Sequence, residues 1–367
     1  MKFFASILSL VILVTSCGRS AKPVANGTSP RSYKGSASVG DFLALTLDPV
    51  ALTITYRNVS NGDTGVVPYT VNLDGTYTLN DPAGNLVAAY EVPNYAMLVQ
   101  AAKTGPTHDK PALITAVESG PISIATWANR QYNYMQFRTA AGGIEVGSAN
   151  MDPQGNISIS SYWPYGALNN SGSPFNAGSF SGANIVADPS GTFLKLLDNG
   201  GGGSFDYIFG TANGVFAVDT PAGAILALEK ASSKNFDPTF AGTYKAIFYE
   251  KTGATTGIGN VETGTPNLGN ATMVIDANGQ ITVQDAQGTT LVQATLTPVA
   301  DAAYLVGVGK LQDPCFGLFT FRVTTLNSQR DVFVSFQGQS ILFSSFSSAL
   351  PWVSGDTYDY LYGVGLK

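Results

Sequence analysis

The stretch ATMVIDANGQITVQ, residues 271–284, decides the fold class of the chain. Apolar and polar residues alternate on both sides of the tetrapeptide that begins at Asp276 and ends at Gly279. A period of two is typical of a half-buried β-strand. In the turn, Asp accepts hydrogen bonds from backbone N–H groups, Ala accepts a φ near −65°, and Gly adopts the left-handed conformation of a bulged hairpin. The stretch therefore predicts a β-hairpin.

The same pattern, Asp-(Pro or Ala)-x-Gly, occurs four more times in the chain. It begins at Asp81, Asp152, Asp188 and Asp285, and a shorter turn is present at Asp74-Gly75. Clustered Asp and Asn oxygens also suit calcium, but these segments lack the three alternating carboxylates and the terminal Glu of a calcium loop. We therefore predict hairpin turns, with calcium sites as the alternative.

Short apolar or alternating runs, separated by Gly, Pro, Asn and Asp, continue from about residue 39 to the end of the chain. Charged residues make up only 12% of the 367 residues, and 41 are Gly. The predicted fold class is all-β, with tandem antiparallel sheet modules that are small barrels or sandwiches. A β-propeller is the alternative.

Three segments resemble one another and suggest internal repeats: residues 116–124, 217–225 and, more loosely, 334–341. Their spacing of about 100 residues is too large for propeller blades of about 40–50 residues. We predict β modules at residues 39–130, 131–235 and 236–367, the last of which ends in a closing aromatic strand.

The amino terminus reads MKFFASILSLVILVTSC: Lys2 precedes an apolar stretch, and Val14, Thr15 and Ser16 come directly before Cys17. The apolar stretch is too short for a permanent membrane span but suits the core of a secretory signal. This order resembles the lipobox of bacterial lipoproteins. The resemblance covers these residues only. It implies a signal peptide at 1–16 and a Cys17 that carries lipid, palmitate included, and begins the mature chain. An ordinary signal peptide with a chance Cys is the alternative.

Residues 17–38 then form a predicted tether, because they are rich in Ser, Gly, Ala and Pro and show no apolar period. Lipid on Cys17 would make the membrane a partner, since several acyl chains anchor a protein firmly where one is marginal. Gly18 follows the Cys in place of the Asp that resembles an inner-membrane retention signal in enteric bacteria. The predicted location is therefore the cell envelope, at the outer membrane.

The residues that usually carry chemistry are scarce. The net charge of −6 leaves no basic surplus, which argues against nucleic acid as a partner. The single His, His108, lies in a polar turn-like stretch, and the zinc, nucleophile-elbow and phosphate-loop motifs are missing from the sequence. We predict no cofactor, no metal site and no catalytic residue. Cys315 is predicted to be a small buried hydrophobic residue.

Aromatic residues mix with Asn, Ser and Gly over residues 161–182. The candidate binding residues are Tyr162, Trp163, Tyr165, Phe175 and Phe180. Flat aromatic faces beside amides and hydroxyls suit sugar rings or a protein partner. The alternative, which we favour from the sequence, is that these rings pack back onto the sheet.

The sequence predicts a lipid-anchored cell-envelope protein with a structural or ligand-binding role, towards a glycan or an envelope protein, and without catalysis. A carboxylate-based glycan hydrolase is one alternative, although Glu118 and Asp219 occupy equivalent repeat positions, which fits a structural turn better. An outer-membrane β-barrel is the other alternative, because Tyr358, Tyr360 and Tyr362 alternate along the last strand.

Overall fold

The computed structural model describes residues 27–80, 86–102, 111–137, 144–165, 179–197, 205–212, 214–221, 223–254, 265–299, 315–324, 329–348 and 358–367. Within these ranges the regular structure is antiparallel β-sheet with three short 3₁₀ turns, which confirms the all-β prediction. None of the helical turns there has the length and apolar content to cross a bilayer. Cys17, His108, Phe175 and the turn at Asp81 lie outside the described residues.

Barrel 1 is a closed, eight-stranded antiparallel barrel in which every strand pairs with its neighbours in sequence. Its strands are β1 Arg31–Ala37, β2 Asp41–Asp48, β3 Thr53–Asn58, β4 Thr64–Val71, β5 Tyr77–Asn80, β6 Leu86–Val92, β7 Ala96–Ala101 and β8 Ala112–Glu118. The first strand closes the barrel by pairing with the last.

Barrel 2 follows the same plan. Its strands are β9 Arg130–Phe137, β10 Ile144–Met151, β11 Ile157–Tyr165, β12 Ser179–Phe180, β13 Ile185–Ala187, β14 Leu194–Leu197, β15 Phe205–Gly210, β16 Val215–Thr220 and β17 Gly223–Glu229. Again the first strand pairs with the last. However, β12 pairs with β11 and β13 pairs with β14, so that the sheet order begins at β12 and ends at β13. We call the opening between them the seam of barrel 2.

Barrel 3 repeats this arrangement. Its strands are β18 Gly242–Ala254, β19 Thr265–Ile275, β20 Gln280–Gln284, β21 Thr290–Thr295, β22 Thr297–Pro298, β23 Leu318–Thr324, β24 Gln329–Gln337, β25 Ser340–Ser348 and β26 Tyr358–Leu366. The seam lies between β21 and β22. Counting the two short strands at each seam as one interrupted strand gives eight strands in up-and-down order in each of the three modules, of which barrel 1 is closed. The propeller alternative is therefore wrong.

The predicted hairpin turns at Asp74, Asp152, Asp188, Asp276 and Asp285 are confirmed. Each joins two consecutive strands, and the Gly of each has a left-handed φ, between 68° and 83°. In each turn an Asp carboxylate oxygen accepts a backbone N–H from the residue two positions later, as in the 2.8 Å bond from the N–H of Asn278 to Asp276. These carboxylates thus serve the turns themselves.

The first strand corrects the predicted tether, because β1 begins at Arg31, inside the segment predicted to be a tether through residue 38. Its small residues are a packing requirement. A Cβ on Gly35 would lie 2.6 Å from the Cβ of Ala116, and Ser36 is buried against barrel 2. Because both faces of β1 are closely packed, the strand needs small residues, and its composition therefore resembles that of a flexible linker.

The interiors of the barrels are filled with side chains, as expected for eight strands. The third residue of each first strand is a tyrosine, namely Tyr33, Tyr132 and Tyr244, and all three are fully buried. These three tyrosines therefore occupy equivalent positions in the three barrels.

The internal repeats predicted from the sequence have the wrong register. The segments 217–225 and 334–341 are hairpins, whereas residues 116–124 leave the last strand of barrel 1.

A fourth cluster, the central core, joins the outer faces of all three barrels. Its members include Phe42 and Leu98 from barrel 1, Met135 and Phe137 from barrel 2, and Tyr249 and Tyr362 from barrel 3. The ring of Tyr362 stacks on Phe137 at 4.2 Å and on Tyr249 at 5.2 Å between centroids. Cys315 is buried in this core, as predicted.

We expect Tyr362→Ala to lower the free energy of unfolding by about 3–5 kcal/mol, the usual cost of truncating a buried aromatic residue. The ring fills the contact between barrels 2 and 3, so a cavity there affects both. Urea unfolding followed by circular dichroism measures the change. Val66→Ala, at a side chain that is 62% exposed, is the control and should change little. An equally small effect at Tyr362 would contradict this role of the central core.

Candidate functional site

Three of the five predicted aromatic residues, Tyr162, Trp163 and Tyr165, lie on β11, and Phe180 lies on β12. Phe180 pairs with Ile157 at the opposite end of β11 from Trp163. At about 3.3 Å per residue, the six steps from Ile157 to Trp163 span about 20 Å. The structure therefore brings three of the aromatic positions together and places Phe180 far along the strand.

The part of β11 that carries these three residues is a strand edge. β11 pairs with β10 along its whole length, but with β12 only at Ile157 and Ser158. Within the described residues, positions 159–165 therefore have a hydrogen-bonded neighbour on one side only. We call this segment the open edge. Pro164 lies in it, and Pro is confined to edge strands and bulges because it has no N–H to donate. That Pro is the sequence feature that would have predicted an edge strand.

A β-bulge interrupts the open edge. Val146 pairs with Trp163 and Gly147 pairs with Ser161, so Tyr162 is the extra residue. Bulges increase the local twist and redirect side chains, and they occur often at sheet edges and beside functional sites. The bulge lies at the aromatic positions that the sequence singled out.

The partner strand carries a buried carboxylate next to the open edge. Glu145 pairs with Pro164, is 8% exposed, and accepts a hydrogen bond from the hydroxyl of Tyr134. Tyr134 belongs to the interior cluster of barrel 2. A buried carboxylate needs such a donor. This pair therefore supports the interior wall behind the open edge.

Barrel 1 contains a larger polar cluster of the same kind. Glu91 accepts two hydrogen bonds of 2.6 Å from Arg31 and further bonds from the hydroxyls of Tyr33 and Tyr77. Burial raises the pKa of both tyrosines above the ordinary value of 10, so both remain protonated donors. The Glu91 side chain has no exposed surface. The cluster holds the start of β1 in place and offers no access to a ligand.

A third polar cluster lies between barrels 1 and 2. Asp219 is 2% exposed, and its carboxyl accepts a hydrogen bond from Ser36. Burial, together with the charges of Asp41 and Asp206, raises the pKa of Asp219 well above 3.8. Asp41 is equally buried, so a sugar chain cannot reach this carboxylate pair. Glu118 is exposed on β8, so the predicted equivalence of Glu118 and Asp219 is wrong.

A shallow cleft separates barrels 1 and 3. The Nζ of Lys245 in barrel 3 lies 3.2 Å from Asp74 Oδ2 across the cleft and 3.3 Å from Thr272 Oγ1 on the neighbouring strand, and Tyr90 lines the wall of barrel 1. Its volume of about 80 Å³ is well below the roughly 300–1,000 Å³ of small-molecule sites. The cleft thus has room for a single side chain or sugar substituent.

Metal ligation is not evident in the part of the chain that the structure describes. No group of three or more His, Cys, Asp or Glu residues is placed there to hold an ion.

Comparison with known proteins gives no family model and no curated protein that matches the chain. Among solved structures, it is similar to a transferrin-binding protein B double mutant from Haemophilus parasuis, with a TM-score of 0.27, 8% identity, and coverage of 93% of this chain and 76% of that one. A putative outer membrane protein from Bacteroides fragilis gives a TM-score of 0.19 and 9% identity, over 93% and 97% of the two chains. Likeness at these TM-scores does not assign a function.

We expect Asp219→Asn to change how stability depends on pH. A carboxyl whose folded-state pKa is raised contributes stability that is complete below its unfolded pKa, near 3.8, and is lost as the pH rises through its folded pKa. Asn keeps an acceptor for Ser36 and cannot ionise beside Asp41, Asp206 and Tyr207. The variant should therefore gain stability relative to the wild type as the pH rises, up to a plateau.

Urea unfolding at a series of pH values tests this prediction. The exposed Glu118→Gln on β8 is the matched control and should follow the wild-type profile. A constant difference between Asp219→Asn and the wild type at all pH values would contradict it.

Proposed function

We propose that this protein is a lipid-anchored component of the bacterial cell envelope that binds a macromolecular ligand along the open edge of barrel 2. The observation that carries the proposal is an edge strand bearing Tyr162, Trp163 and Tyr165 beside a seam. The filled barrel interiors leave the outer surface for binding.

An extended protein segment is the ligand that the backbone favours. A strand edge presents N–H and C=O groups in a row, and a second chain can pair with them by β-augmentation. Side chains at alternate positions then supply specificity. A glycan is the second candidate, because Trp and Tyr faces suit sugar rings.

The lipid anchor is the second part of the proposal, and it depends on Cys17. An acylated Cys17 would tie the chain to a membrane, as the lipobox resemblance implies.

We expect no glycan hydrolysis by the carboxylate pair of Asp41 and Asp219, because both side chains are buried between barrels 1 and 2, where a substrate cannot reach them. The alternative of an outer-membrane β-barrel loses its main support, because Tyr360 and Tyr362 are buried in the central core.

Replacing Trp163 with Ala should weaken ligand binding about tenfold or more, as truncation of an aromatic anchor does. Two probes identify the ligand class: a peptide library displayed on phage and an array of cell-wall oligosaccharides. Leu291→Ala, at an exposed position beside the seam of barrel 3, is the matched control and should bind as the wild type does. If neither probe yields a ligand that depends on Trp163, the binding proposal fails.

Cys17→Ala should abolish incorporation of labelled palmitate and release the protein from the membrane fraction, because no other residue is proposed to carry lipid. Metabolic labelling followed by cell fractionation measures both effects. Cys315→Ala is the control, since that thiol is buried, and it should leave labelling intact. Palmitate incorporation that persists in Cys17→Ala would contradict the proposal that Cys17 carries the lipid.

A further inference from the structure

One end of barrel 1, which we call the entry end, is where β1 begins at Arg31. In an up-and-down barrel, successive turns alternate between the two ends. The β2–β3 turn and the β4–β5 turn therefore both lie at the entry end. The ion pair of Arg31 with Glu91, near the end of β6, confirms that these strand ends meet there.

The two turns at the entry end expose large apolar side chains. Leu73 is 90% exposed, Val50 is 72% exposed and Leu52 is 39% exposed. Scattered apolar side chains are common on protein surfaces. Here, however, the three lie on two turns that are separated by only two strands, which is about 10 Å at the spacing of neighbouring strands.

The counterparts of the β2–β3 turn in the other two barrels are polar. After the second strand of barrels 2 and 3, the tips are Gln154-Gly155 and Asn278-Gly279, and each Gly has a left-handed φ. In barrel 1 the left-handed residue is Leu52, with a φ of 56°. A bulky residue pays a conformational penalty there that Gly avoids. The apolar tip is thus specific to the barrel at which the chain enters.

The anchor acts on this same end. About 14 residues separate Cys17 from Arg31, and whatever their conformation they span at most about 50 Å. An acylated Cys17 would therefore join the body to the bilayer through the entry end. The carboxylates in its turns are engaged: Asp48 accepts the N–H groups of Val50 and Ala51, and Asp74 pairs with Lys245.

We propose that Val50, Leu52 and Leu73 insert into the lipid bilayer interface and hold the entry end against the membrane. This inference rests on the proposed acylation of Cys17. Burial of the exposed apolar tips at the headgroup boundary is favourable, and it adds a contact to the acyl anchor. The anchor alone would leave the orientation of the body free, whereas two turns and a tether fix one end towards the lipid.

The test uses the full acylated chain, reconstituted in vesicles of phosphatidylcholine and phosphatidylethanolamine. An environment-sensitive fluorophore is attached to Val50→Cys, Leu73→Cys or Leu86→Cys. Leu86 is the matched control: it is 73% exposed but begins β6, at the opposite end of barrel 1. Cys315 is buried and Cys17 carries lipid, so the label reacts with the introduced thiol.

We expect labels at positions 50 and 73 to shift their emission to shorter wavelengths and to be quenched by brominated lipids, while the label at position 86 does neither. Mass spectrometry of the same preparation reports whether Cys17 is acylated. If it is acylated and all three labels behave alike, the lipid contact is wrong and the proposed function stands. If Cys17 is unmodified, the proposed function and this inference both fail.

Discussion

The packing of three barrels on one central core is the constraint on which the rest of the structure depends. Tyr362 lies between Phe137 of barrel 2 and Tyr249 of barrel 3, and Phe42 of barrel 1 stacks on Tyr207 of barrel 2 at 4.4 Å between centroids. A strand at this core has an apolar inner face and an apolar outer face. The low share of charged residues follows, because a charged side chain on either face would be buried without water.

Polar groups within the contacts between barrels fix how the barrels are oriented. The side-chain amide of Gln100 donates to the carbonyl of Gly269 at 2.6 Å, and that of Asn133 donates to the carbonyl of Phe316 at 2.8 Å. Apolar contact alone is non-directional, whereas a buried hydrogen bond fails if the partner shifts. The core holds the barrels together, and these bonds select one arrangement. The surfaces left outside include turns, such as those at Val50 and Leu73, and outer strand faces, such as that at Val66.

Local chemistry explains which features were predictable from the sequence. The turns at Asp152 and Asp276 follow from residues within four positions of each other, and they were predicted. The strand at Arg31–Ala37 is not predicted, because its small residues are required by close packing against Ala116 and barrel 2, which are distant in sequence. The aromatic positions on β11 were identified, but the open edge depends on how little β12 pairs, which no local pattern shows. Pro164 is the one local feature that indicates an edge strand there.

Strand β1 links the proposed anchor to the proposed binding edge. Its first residue, Arg31, is fixed by Glu91 inside barrel 1, and five residues later Ser36 donates to Asp219 of barrel 2. The open edge belongs to barrel 2, and the entry end belongs to barrel 1. The two are therefore connected through the contact between these barrels. Because β1 is held at both points, it fixes barrel 1 relative to barrel 2 along this strand. The proposed binding edge and the proposed attachment can therefore lie on different barrels whose relative orientation is fixed by this strand.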